Sequence, residues 1–398
     1  MINEKMRMLG AKRSVIRELF EYGRKRKSEI GEDAVFDFSL GNPSVAAPEV
    51  VNAEMKRLLE EESSILLHGY TSAPGDLGVR KAISDYVNNT HGESTTPDCF
   101  YMTVGAAAAL TSTLTALCMP GEEVIVPTPY FPEYKVFIER CGAIVREVEC
   151  DARFMLDVEK ISAAISDKTA AIIINSPNNP TGAVFDEENI IAITSMLKKK
   201  ETELKKPIYI IADEPYRELV YDGAVVPFLT RYYDDTVVCY SYSKSLSIPG
   251  ERIGYVLVCP RISDFASVYQ AVAGAARALG FVCAPSLLQK IIPACLGSVA
   301  DVSIYDRNRR LLIEKLSSLG FETVKPDGAF YLFIKSPSGD ASEFSERAKA
   351  HEILIVPSDD FGCPGYARLA YCVRTEQIEA ALPAFEALAA DYKKDGIL

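Results

Sequence analysis

"AAIIINSPNNPTG", residues 170–182, begins as five apolar residues and breaks at Asn175 into asparagines, prolines and a glycine. So short and so apolar a run is the mark of a strand buried on both faces. The pattern recurs along the chain: "YMTV" (101–104), "EVIVP" (123–127), "PIYIIAD" (207–213), "VVCYS" (237–241) and "RIGYVLVC" (252–259). Between these runs lie helical patterns, among them "GAAAALTSTLTALCM", "EYKVFIERCG" and "EENIIAITSMLKKKETEL". Strand–helix alternation predicts an α/β fold, a large domain whose mostly parallel central sheet is flanked by helices.

After about Leu288 the pattern changes. "SIYDRNRRLLIEKLSSLG" reads as a helix, "GAFYLFIK", "ILIVPS" and "ARLAYC" as strands, and "TEQIEAALPAFEALAADYKK" as a closing amphipathic helix. This is a smaller α+β domain. A helix around residues 15–22 is expected to join it, because chain ends often lie together. The expected division is therefore 1–47 as an N-terminal segment with the small domain, 48–287 as the large domain and 288–398 as the small one. No internal repeat or low-complexity segment interrupts the chain.

Bulk properties narrow the function classes. The chain has 398 residues, is 48% hydrophobic and 25% charged, and carries a net charge of −12. That balance argues against a nucleic-acid partner. "GRKRKSE" (23–29) reads as a solvated helix face. Ten cysteines and three histidines form no C-x-x-C pair and no zinc spacing, so no metal is expected. Scattered cysteines with apolar flanks suit a reducing compartment. The charged N-terminus lacks the apolar core of a signal peptide, and no apolar run reaches bilayer length. A soluble, cytoplasmic protein without membrane association is expected.

The candidate chemistry falls where apolar strands end. Gly105 precedes a helix, whose first N–H groups, at Ala106 and Ala107, face either an anion or merely a tight turn. "NSPNNPTG" presents amide side chains or is a structural turn. Asp213 ends an apolar strand; it holds a cationic ring nitrogen or caps the next segment. Lys244 follows "VVCYS" amid serines; a desolvated lysine is nucleophilic, and an exposed loop lysine is inert. Arg368, read at the start of a strand, grips a carboxylate bidentately or forms an ion pair. Singly these are weak. Together they supply an anion cradle, a ring-nitrogen partner, an amine and a carboxylate clamp, the set that pyridoxal 5′-phosphate chemistry requires.

From about Phe38 to the last helix the chain resembles the class I/II aminotransferases, fold-type I pyridoxal-phosphate enzymes similar to aspartate aminotransferase. The resemblance rests on "LGNPS", "HGYTSAPG", "VGAAAAL", "PTPYFPEY", "NSPNNPTG", "ADEPY", "SYSKSLSIPGERIGY" and "ARLAY", in that order. It implies that Lys244 is the catalytic lysine, bonded to the cofactor aldehyde and then acting as acid and base. It places Asp213 at the pyridine nitrogen, Asn179 and Tyr216 at the phenolic oxygen and Phe131 on the ring face. Ala106, Ala107, Ser241, Ser243 and Arg252 fall at phosphate positions, while Ser245 and Ser247 are read as loop polarity. Tyr70 matches a tyrosine that reaches the phosphate of the neighbouring subunit, which implies a homodimer. Gly41 and Arg368 would hold the substrate carboxylate, with Asn179 beside them and Tyr331 near the channel.

One departure bears on substrate. Ala107 stands where bacterial aspartate aminotransferases of the nearest subgroup often carry a lysine, which weakens an aspartate assignment. Arg13 either replaces that lysine or is a helix-cap or surface arginine. The expected reaction moves an amino group between an L-amino acid and a 2-oxo acid. A carbon–sulfur β-lyase on the same fold is the alternative. A non-catalytic cofactor-binding regulator is a distant third, since only about forty residues precede "LGNPS".

Overall fold

The computed structural model describes residues 2–11 and 14–398; the candidate Arg13 lies outside the described residues. A short strand, β1 (Phe36–Asp37), stands apart from the main sheet. The main sheet has seven strands: β2 (Phe100–Thr103), β3 (Glu123–Thr128), β4 (Ile144–Glu149), β5 (Thr169–Asn175), β6 (Tyr209–Asp213), β7 (Thr236–Ser241) and β8 (Gly254–Val258). Their order is β2-β8-β7-β6-β5-β3-β4. β8 runs antiparallel to β2 and β7, and the remaining pairs are parallel.

The apolar runs explain this sheet. β5, β7 and β8 are buried at every position. Successive side chains point to opposite faces, so one strand feeds two cores. Ile172, Ile174, Ile210 and Leu257 pack on one face with Ile193, Leu197, Ile291 and Ile292 from helices. Ile173, Ile211, Val237 and Val256 pack on the other with Leu110 and Leu114 of the helix Ala106–Leu117 and Val272 of the helix Phe265–Leu279. Each such side chain, fully buried, contributes about 1.5–3 kcal/mol.

The second body contains β9 (Thr323–Val324), β10 (Tyr331–Lys335), β11 (Ile353–Leu354), β12 (Val356–Pro357) and β13 (Tyr366–Ala370). An antiparallel sheet runs β12-β13-β10-β9, and β1 pairs parallel with β11. Phe38, Leu312, Phe330, Leu332, Phe385 and Leu388 share its core, so residues from both ends of the chain build it. The first long helix spans Val15–Ile30, beyond the expected end, and packs Leu19 on Val356 and Phe361. The basic run lies in this helix, with Arg26 paired to Glu352 at 2.6 Å.

Two expectations shift. Arg368 sits in the middle of β13, opposite Phe333, not at its start. The helix Ser286–Cys295 places Leu288, Ile291, Ile292 and Cys295 in the large core. We therefore propose that the domains divide between this helix and the helix Val302–Leu319, not at 287/288.

Candidate active site

β5, β6 and β7 end side by side, with Asn175 opposite Asp213 and Asp213 opposite Cys239. Ligands in open α/β sheets gather at this edge. A cavity of about 270 Å³ opens there, and the small domain closes its far side with Tyr331 and Arg368. Among the described residues, every sequence-derived site residue except Tyr70 lines it: Gly41, Ala106, Ala107, Phe131, Asn179, Asp213, Tyr216, Ser241, Ser243, Lys244, Arg252, Tyr331 and Arg368. Tyr70 is 99% exposed and does not line the cavity.

At one end, Gly105 (φ 86°) begins the helix Ala106–Leu117. A Cβ at Gly105 would lie 2.5 Å from Arg252 Nη2, so glycine is needed both for the backbone angle and for the close guanidinium. Arg252 Nη1 donates to Ser243 Oγ at 3.3 Å, and Ser241 Oγ lies 2.8 Å from Ser243 Oγ. A helix N-terminus, two hydroxyls and a guanidinium at one end of a cavity fit a phosphate group.

In the middle, Asp213 is buried and only partly satisfied. Tyr134 Oη donates to its Oδ2, and Asn175 Nδ2 donates to its backbone carbonyl at 2.9 Å. Its Oδ1 has no partner among the described residues. Burial raises the Asp213 pKa to about 7, opposed by the Tyr134 bond. An orphaned carboxylate oxygen in a buried wall is costly unless a donor meets it. A protonated ring nitrogen is such a donor, so the residues fit pyridoxal phosphate. Lys244 lies on the turn after β7, and its Nζ donates to the Gly41 carbonyl at 2.7 Å. Burial lowers its pKa to about 8, leaving a larger neutral fraction than an exposed lysine has.

At the small-domain end, Arg368 Nη1 donates to Asn179 Oδ1 at 3.1 Å and Nη2 to the Ser39 carbonyl at 2.6 Å. Its Nε has no partner among the described residues. The guanidinium lies 4.6 Å from the Tyr331 ring centre, and Tyr331 Oη meets Tyr216 Oη at 2.8 Å. A Cβ on Gly41 would overlap Tyr331 Oη.

Sequence reasoning missed Tyr134, Asn175 and Ser39 as partners of these groups. It also misread two serines as loop polarity. Ser245 is buried, with its Oγ 3.1 Å from Tyr240 Oη, and Ser247 Oγ donates to the Val45 carbonyl. Both tie the lysine turn to its surroundings. Tyr134 lies within the "PTPYFPEY" motif and Asn175 begins "NSPNNPTG"; the motifs were visible, but not the neighbouring strand ends that join them.

Removing the Tyr134 hydroxyl takes away the donor that opposes burial at Asp213. Tyr134→Phe is expected to weaken pyridoxal phosphate binding about tenfold, a typical loss for a hydrogen bond to a charged group. The weakening should be greatest below pH 7, where Asp213 is the more readily protonated. Equilibrium dialysis of the cofactor at several pH values checks this; a uniform loss at all pH values would point to packing alone.

A family model for aminotransferase class I and II matches residues 33–385. An aminotransferase from Eubacterium rectale is similar over 98% of this chain and 99% of its own, at 52% identity and a TM-score of 0.96. An aspartate aminotransferase from Thermotoga maritima is 30% identical over 93% of this chain and 96% of its own. The structure of a Thermus thermophilus aspartate aminotransferase with maleate superposes with a TM-score of 0.85, at 28% identity, over 98% of this chain and 100% of its own. By these matches the chain belongs to the class I and II aminotransferases, pyridoxal-phosphate-dependent enzymes that move an amino group between an amino acid and a 2-oxo acid.

Proposed function

We propose that Lys244 is the catalytic residue of this transaminase and that the surrounding side chains take the roles their positions suggest. Bound pyridoxal phosphate supplies an aldehyde for covalent capture of an amine and a cationic ring that draws electrons from the substrate Cα. Lys244 Nζ, its pKa lowered by burial to about 8, would be the amine that meets the cofactor aldehyde and the base placed to hold the proton from the substrate Cα. Asp213 would keep the ring nitrogen protonated, Asn179 and Tyr216 would hydrogen-bond the phenolic oxygen, and Phe131 would lie against the ring. Ala106, Ala107, Ser241, Ser243 and Arg252 grip the phosphate. Arg368 and the Gly41 backbone hold the substrate carboxylate, orienting the Cα–H bond, with Tyr331 beside the channel.

The observation that carries this reading is the placement of Lys244, the unpartnered Asp213 Oδ1 and the unpartnered Arg368 Nε on residues of one cavity. The test is covalent. The purified chain loaded with pyridoxal phosphate and reduced with borohydride should yield one labelled peptide, carrying Lys244. Label on another lysine would sink the assignment. Release of thiol and pyruvate from cystathionine without an oxo-acid acceptor would instead favour the β-lyase alternative.

The exposed apolar residues Ile65 (84%), Leu66 and Tyr70 support a homodimer in which this face is covered and Tyr70 reaches the partner's phosphate. Tyr70→Phe is then expected to raise the cofactor Kd about tenfold or more, by loss of one bond to a charged group, while the dimer persists. Titration with cofactor and light scattering check the two halves. The ten cysteines are free and six are buried, which suits a reducing, cytoplasmic location. Among the described residues no helix is long and apolar enough to cross a membrane.

A further inference from the structure

The cavity says more about the substrate side chain than the shared motifs do. This inference rests on the transaminase reading and on Arg368 as the carboxylate grip. Among the described residues, three cations line the cavity: Lys244, Arg252 and Arg368. Each is engaged. Lys244 is bonded to the Gly41 carbonyl, Arg252 to Ser243 and the Pro249 carbonyl, and Arg368 to Asn179 and the Ser39 carbonyl. Each also has a role at the aldehyde, the phosphate or the α-carboxylate. None of these three is left for a second substrate carboxylate; Arg13 lies outside the described residues. Arg17, on the first long helix, is exposed and does not line the cavity.

Much of the remaining wall is apolar. Ile16, Leu40, Leu110, Phe131, Phe137 and the Tyr331 ring line it. Leu40 is the residue before Gly41, and Tyr331 lies against Arg368, so apolar surface adjoins the carboxylate grip directly. Leu40 is 39% exposed. An apolar side chain from a bound amino acid would cover it; a carboxylate there would lose water and gain no cation.

We infer that the side-chain subsite, built from Ile16, Leu40 and the Tyr331 ring, selects amino donors with apolar aliphatic or aromatic side chains over dicarboxylic ones. Selectivity of this kind is large, because a misplaced charge leaves an unpaired buried group. The expected kcat/KM for phenylalanine or leucine exceeds that for aspartate and glutamate by at least about 100-fold.

The holoenzyme is assayed for 2-oxo acid formation from phenylalanine, leucine, methionine, aspartate and glutamate. In parallel, binding of 3-phenylpropanoate and of maleate, neither of which can react, is measured by calorimetry. Support is an apolar donor ranked first and 3-phenylpropanoate bound at least about tenfold more tightly than maleate. Aspartate or glutamate ranked first, or maleate bound more tightly, overturns the inference and leaves transamination standing. If no donor yields a 2-oxo acid, the transaminase reading fails, and the binding comparison still decides the subsite. Leu40→Lys places a cation on an exposed position where folding is not at risk. It should raise kcat/KM for aspartate at least about tenfold; an unchanged donor ranking would remove Leu40 from the subsite.

Discussion

Lys244→Ala is expected to lower turnover by at least about 10⁴-fold, since it removes both the nucleophile and the proton carrier from one position. The effect should come with little loss of fold. The amine is buried at a cost, as its lowered pKa reflects, and among the described residues its bond to the Gly41 carbonyl is the one hydrogen bond it contributes. The variant should still bind pyridoxal phosphate through the phosphate end, but reversibly, and borohydride should leave it unlabelled. Thermal melting, cofactor absorbance after gel filtration and single-turnover assays with an amino acid check the three statements. A variant that turned over within tenfold of the parent would overturn the assignment of the catalytic lysine.

Asp213→Asn should produce opposite effects on the cofactor-free and loaded protein. In the folded chain burial raises the Asp213 pKa to about 7, whereas an unfolded aspartate titrates near 3.9. Between these values the folded state binds more protons than the unfolded one, so stability falls as pH rises from about 4 to about 7. Above that range the full penalty of a buried carboxylate applies, on the order of 4 kcal/mol. Asparagine keeps an acceptor for Tyr134 and carries no charge. The cofactor-free variant should therefore match the parent near pH 4 and exceed its stability above pH 7. With pyridoxal phosphate bound the order reverses, because the carboxylate then meets a cationic donor. Cofactor affinity should fall at least about tenfold, and turnover by about 10²–10³-fold. Denaturant melts of both forms at pH 4 and pH 8 give the comparison. A variant less stable than the parent when cofactor-free at pH 8 would show that Asp213 is a structural residue.

Most of this site could be read in the chain because its groups follow a rule of position. Asn179, Asp213, Ser241 and Lys244 all come just after an apolar run, and parallel pairing carries the ends of those runs to one edge. Gly105 was legible for a related reason, since a strand that stops at glycine before an alanine-rich helix exposes N–H groups. What stayed hidden depends on contacts across strands. Tyr134 meets Asp213 from 79 positions away, and the chain does not announce that the strand order puts them together. Ser245 looked like loop polarity because its partner, Tyr240, lies across a tight turn of side chains. The expected boundary at 287/288 falls within the helix Ser286–Cys295, whose pattern resembles the helices of both bodies; its packing in the large core is the ground for the division we propose.

The Arg368 guanidinium hangs from a strand of one body, rests on an amide of the other and touches the carbonyl of Ser39 near the chain's beginning. Three stretches remote in sequence are thus fastened at one rivet. A carboxylate arriving there tightens that rivet, so feeding the enzyme should also stiffen it, and slower amide exchange in β10 and β13 would be the audible click.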